Sequence, residues 1–107
     1  MKQLNDENFQ REVPESDKPV LVEFYASWCG KCAMMEDVFR TIAQDFSPEI
    51  VAARVETGKN PLLTATYQIR KIPCFLLFYH GQIKMRMSGM MDGEEMAERL
   101  EKTLEKL

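Results

Sequence analysis

Hydrophobic positions recur along this chain at two periods, and the switches between them mark its elements. Residues 20–26 form a continuous apolar run broken only by Glu23. Such a run predicts a strand covered on both faces, as in a parallel sheet. Met35, Val38, Phe39, Ile42 and Phe46 then fall at helical spacing, with Glu36, Asp37, Arg40 and Gln44 between them. This pattern predicts an amphipathic helix to about Phe46, stopped by Ser47-Pro48. Residues 50–55 predict a second strand and residues 57–59 a loop. Asn60 followed by Pro61 supplies a cap and a proline at the first helical position, opening a helix through about Tyr67. Residues 74–79 predict another strand, His80-Gly81 a turn, and residues 82–88 its antiparallel return. Asp92, with Glu95 three residues on, imitates a capping box and starts a last helix that buries Met96, Leu100, Thr103, Leu104 and Leu107. Ahead of the first strand, Asn5 or Asp6 caps a short helix that turns Phe9 and Val13 inward and ends before Pro14.

The predicted order is helix, strand, helix, strand, helix, strand, strand, helix. It implies an α/β fold with a central mixed β-sheet flanked by α-helices on both faces. With 107 residues and no repeat or linker, the chain suits a single domain spanning 1–107. The net charge of −3 comes from interspersed acids and bases, so no nucleic-acid or membrane surface is expected. No apolar stretch approaches the roughly 20 residues that span a bilayer. The first seven residues lack the apolar core of a secretory signal, and three cysteines are too few for a disulfide-stapled secreted fold. A reducing, cytoplasmic setting is the expectation.

Chemistry concentrates at Trp28-Cys29-Gly30-Lys31-Cys32, between the first strand and the long helix. A Cys at a helix start and another three residues on share one face, close enough for a disulfide. Unpaired helix N–H groups favour a thiolate there. The stretch is therefore a candidate reversible dithiol–disulfide. Two structural thiols, or half of a zinc site completed by Cys74 and His80, are the alternatives. His80 itself fits a turn residue better than a ligand.

Residues 20–32, ending in that Trp-Cys-Gly-Lys-Cys, resemble the active-site segment of thioredoxins. The likeness continues through residues 67–73 to Ile72-Pro73, then through the apolar strand, the Gly81 turn and Gly89 before the final helix. It thus covers nearly the whole chain. The resemblance implies a thioredoxin fold with the dithiol at the start of the second helix. It also implies that Pro73 is cis, lies against the cysteines and helps hold a substrate's extended chain.

On that basis Cys29, the more exposed thiol, attacks a substrate disulfide, and Cys32 then attacks Cys29 and releases reduced substrate. Glu23, a carboxylate in an apolar strand, is expected to hold its proton and serve Cys32 as general acid or base; a solvent-facing Glu23 is the plainer alternative. The family usually has Asp there. Trp28 is expected to shield the site and offer apolar surface, with core packing as the alternative. Gly30, Lys31, Ile72, Pro73, Gly89 and Met90 complete the expected substrate-binding set, with Ser88 beside them. Lys31 stands where thioredoxins usually have Pro; a cation beside the thiolate is expected to make the disulfide more oxidising, and a solvated lysine screened to a small effect is the alternative. Asp37 replaces a frequent helix-kinking Pro, Lys71 a frequent Gly, and Cys74 a frequent Thr. Cys74 is expected to be a small buried hydrophobe rather than a third redox thiol.

The expected function is protein disulfide reduction through Cys29 and Cys32. The resemblance implies recharging by an NADPH-dependent flavin thioredoxin reductase, with no tightly bound cofactor and no metal. A disulfide oxidase or isomerase tuned by Lys31 is one competing function. A thioredoxin-like protein-binding module with an idle dithiol is the other.

Overall fold

The apolar run of residues 20–26 becomes the middle of the sheet. In the computed structural model, which describes residues 1–107, it forms β2 (Val20–Tyr25). The other strands are β1 (Lys2–Leu4), β3 (Val51–Glu56), β4 (Cys74–Tyr79) and β5 (Gln82–Ser88), in the spatial order β1-β3-β2-β4-β5. β1 and β2 each run parallel to β3, whereas β4 is antiparallel to β2 and β5 to β4. The sheet is mixed, as expected. β5 alternates exposed and buried residues, as an edge strand must, while β2 and β4 are buried along nearly their whole length.

Alternation along β2 divides the core in two. Val20, Val22 and Phe24 face α1 (Phe9–Glu12) and α3 (Pro61–Thr66), packing with Phe9, Leu63, Leu76 and Phe78. Leu21 faces α2 (Gly30–Asp45) and α4 (Gly93–Glu105), packing with Met35, Phe39, Phe75, Met96 and Leu100. The Phe39 and Phe75 rings lie 5.5 Å apart, fixing α2 against the sheet. Truncating Phe39 to Ala would cost about 3–5 kcal/mol. Helices therefore cover both faces, and α2 stands over the strand that leads into the dithiol.

Several local expectations are corrected. A first strand, β1, precedes the first helix; it has three residues and one buried side chain, Leu4, too little to leave a period-2 pattern. Asp6 does not cap α1. Its carboxylate accepts from the amides of Leu62 and Leu63 at 3.3 and 3.0 Å and so caps α3. Asn60, expected to cap that helix, instead accepts from the Asp6 amide at 2.9 Å and donates to the Glu56 carbonyl at 2.8 Å. Leu107, at the frayed end beyond α4, is exposed. Residues 57–59, expected as a loop, form one turn of 3-10 helix; elsewhere the expected elements stand, including the Asp92 cap, which accepts from the Glu95 amide at 2.8 Å.

Candidate active site

The chain leaves β2 at Tyr25 and enters α2 at Gly30, and the turn between them places Cys29 at the helix N-cap. The Cys29 amide donates to the Ala26 carbonyl at 3.2 Å, closing the turn. The Cys32 amide, one of the donors a helix start leaves unpaired, points at Cys29 Sγ at 3.1 Å. That contact favours negative charge on Sγ. A Cβ on Gly30 would meet no atom within 4 Å, so the approach over this turn is open.

The two thiols, both free, differ in setting. Cys32 is the more buried, 3% exposed against 8% for Cys29. Burial, and then the hydrogen bond with Cys29, push the Cys32 thiol up to about 12; the Glu23 charge adds to the effect. Cys32 thus stays protonated at neutral pH, and the helix amide donor is aimed at Cys29 Sγ. Together with Ala26 the two cysteines form a small cluster that Tyr25 and Ile72 cover.

Glu23 is fully buried, which removes the solvent-facing alternative, but it is not isolated. The register of β2 on β3 sets it opposite Arg54, whose Nε donates to Glu23 Oε1 at 3.0 Å. Glu23 Oε2 has no hydrogen-bond partner. Burial raises the Glu23 pKa above its ordinary value, and the Arg54 charge offsets this only in part. The Arg54 guanidinium also stacks 3.9 Å from the Tyr25 ring centroid. With Cys29, Cys32, Ala26 and Glu36 it lines a pocket of about 180 Å³ beside the dithiol, open to solvent and roomy enough for water. Arg54 was missed from the sequence. The available signal was a lone cation inside the apolar run of residues 50–55, whose partner emerges only once the strand register is known.

Across from Cys29 stands Ile72-Pro73, joined by a cis peptide bond. The Ile72 carbonyl lies 4.0 Å from Cys29 Sγ, and the Gly89 amide donates to the Pro73 carbonyl at 2.8 Å. Gly89 has φ +84°, a conformation that side chains disfavour, so the tie between these segments calls for glycine. Trp28 is 80% exposed and Met90 51%, which excludes the core-packing alternative for Trp28. Lys31 and Lys71 are exposed, and Ser88 stands at the end of β5.

The remaining candidates lie apart from the dithiol chemistry. Cys74 is 1% exposed and packs in the core on the α1/α3 side of the sheet, with the Ser88 hydroxyl donating to its sulfur at 3.7 Å. His80, in the turn past the far end of β4, is exposed and stacks on Tyr79. A strand rise of about 3.3 Å per residue puts Cys74 and His80 roughly 20 Å apart, so the two cannot complete one zinc tetrahedron. α2 runs unbroken past Asp37, which is exposed and pairs with Arg40 at 3.4 Å.

Comparison with known proteins agrees with this arrangement. A family model described as thioredoxin matches residues 1–105. Thioredoxin 1 of Nostoc sp. is 39% identical over 102 residues, covering 95% of each chain. Thioredoxin of Chlorobaculum thiosulfatiphilum is 35% identical, covering 92% of each. Chloroplastic thioredoxin Y2 of Arabidopsis thaliana is 36% identical over 92% of this chain but only 59% of its own length.

Proposed function

The chain belongs to the thioredoxin family, and from that premise we propose that it reduces protein disulfides by a two-step exchange at Cys29 and Cys32. The observation that carries the order of steps is the asymmetry of the pair: an amide donor on Cys29 Sγ, and a buried Cys32 thiol pushed up to about 12. The Cys29 thiolate attacks one sulfur of a client disulfide. The client S–S bond breaks, a mixed disulfide forms, and the departing client sulfur takes up a proton. Cys32 then gives its proton to Glu23 and attacks Cys29 Sγ, expelling the second client thiolate. Two electrons pass to the client and an intramolecular Cys29–Cys32 disulfide remains. The raised pKa of Glu23 suits this step, because a carboxylate of higher proton affinity is the better match for a thiol that resists ionisation.

Client binding falls to the exposed Trp28 and Met90 and to the groove between Ile72-Pro73 and Gly89. Gly30 leaves the approach open, and Lys31 adds charge beside it. Recharging is assigned to an NADPH-dependent flavin reductase, and the working compartment to the cytoplasm. No helix is long and apolar enough to cross a membrane. The oxidase or isomerase function rests on Lys31 alone and is not favoured. The idle binding module gives no reason for two thiols held in such different settings.

Reduction of insulin disulfides tests this function, with electrons supplied either by NADPH and a thioredoxin reductase or by dithiothreitol. Turnover from either source, abolished in Cys29→Ser, supports the proposal. A wild type that turns over with neither source refutes it, and turnover with dithiothreitol alone refutes only the assigned reductase.

A further inference from the structure

Three segments bound the groove at Cys29: residues 27–32, 70–73 and 88–91. In a chain of net charge −3 they carry Lys31, Arg70 and Lys71 and not one acidic residue. All three side chains are exposed. Some cations elsewhere are matched to carboxylates, such as Arg40 with Glu36 at 3.1 Å, Lys59 with Glu56 at 3.6 Å and Lys102 with Glu98 at 3.0 Å, while Lys18, Lys84, Arg86 and Lys106 are scattered and unmatched. Lys31, Arg70 and Lys71 have no such partner. Of the acids nearest in sequence, Glu23 is buried on Arg54 and Glu36 is paired with Arg40, while Asp92 keeps its charge just past Met91 and is turned to the α4 cap.

This charge sits close to the reacting sulfur. Lys31 is two residues from Cys29 in the first turn of α2, and Lys71 precedes the Ile72 carbonyl that lies 4.0 Å from Cys29 Sγ. A client disulfide that reaches Sγ brings its flanking residues over both, within the roughly 8–10 Å over which charges act at ordinary salt. The apolar part of the groove, Trp28 and Met90, discriminates little between extended segments. Unpaired cations discriminate by sign.

We propose that Lys31 and Lys71 make this site selective for protein disulfides flanked by acidic residues, with Arg70 reinforcing the field. The proposal rests on the reductase function above and names its substrate class. The step itself is unchanged: two electrons pass from the Cys29 and Cys32 sulfurs to the client disulfide, and the client thiols take up one proton by way of Glu23 and one from solvent. What the cations add is a faster productive encounter and a longer-lived one for an anionic segment. A client flanked by lysines meets repulsion at the same place.

The test uses three disulfide-bonded peptides of one sequence, with the residues beside the cysteines changed to Glu, Gln or Lys. Second-order rates of reduction by the pre-reduced full chain are measured at low salt, about 0.1 M, and at high salt, about 1 M, where the screening range is about threefold shorter. The expected acidic-to-basic rate ratio at low salt is about tenfold, the lower end of electrostatic steering. It collapses towards one in high salt. It is also lost in the Lys31→Gln/Lys71→Gln double variant, whereas a Lys84→Gln/Lys106→Gln variant of equal net charge keeps it. A ratio near one in the wild type, or one that survives in the groove double variant, overturns the proposal. Selectivity and basic function fail separately: reduction of the Gln peptide with no preference removes only the selectivity, and no reduction of any peptide removes the reductase function.

Discussion

Replacing Glu23 with glutamine takes away the one buried carboxylate of the chain while keeping an oxygen for Arg54. Two main contributions decide its protonation. Desolvating the ion costs several kcal/mol. Against this stands one charge-assisted hydrogen bond from Arg54, worth about 1.5–3 kcal/mol, from a side chain still 21% exposed. Burial outweighs Arg54, so the folded pKa lies above the ordinary 4.5. A group whose pKa is raised on folding gives stability that is whole below the unfolded value and is lost as pH rises through the folded one. Wild-type stability relative to Glu23→Gln should therefore fall above pH 4.5, with a limiting slope of about 1.4 kcal/mol per pH unit, and level off once folded Glu23 is ionised. Urea unfolding of the two reduced proteins across pH 4 to 9 measures the difference, in which the other carboxylates cancel. Arg54→Gln should move the levelling point to higher pH. A flat difference, or one that grows with pH in favour of the wild type, would show that Arg54 overcomes burial and would remove Glu23 as the proton acceptor for Cys32.

Other consequences follow from single contacts. Asp6→Ala strips the two amide bonds that cap α3 and should cost about 1 kcal/mol in urea unfolding, although Asp6 lies far from that helix in sequence. An unchanged midpoint would mean that solvent serves those amides equally well. Lys31→Pro removes a cation two residues from Cys29 and should lower the reduction potential; equilibration against glutathione giving an equal or higher value contradicts the tuning role. Iodoacetamide should label Cys29 in the reduced protein much faster than Cys74, which is 1% exposed. Equal labelling rates would contradict its burial and reopen a redox role.

What the sequence disclosed was whatever depends on neighbours along the chain. The helical spacing of Met35, Phe39 and Ile42 and the unbroken apolar run of β4 specify their elements because each buries a face that the local period defines. The cysteine pair was legible for the same reason, as three residues of spacing at a helix start. The misses are contacts between distant segments. Arg54 meets Glu23 only through the register of two parallel strands, so the carboxylate seemed alone. Asp6 reaches α3 from the other end of the fold, and by its own amide occupies the Asn60 oxygen that would otherwise have capped that helix. β1 is held by its pairing with β3 through Leu4↔Val55, and three residues carry no period of their own.

The central claim is that Cys29 attacks and Cys32 resolves. Incubating the Cys32→Ser and Cys29→Ser variants with one disulfide-bonded peptide, followed by intact-mass spectrometry without reductant, tests it most directly. The account predicts a stable mixed disulfide on Cys29 of the Cys32→Ser chain, released by dithiothreitol, and almost none on Cys29→Ser. Adducts that form on Cys32 as fast as on Cys29 would contradict it.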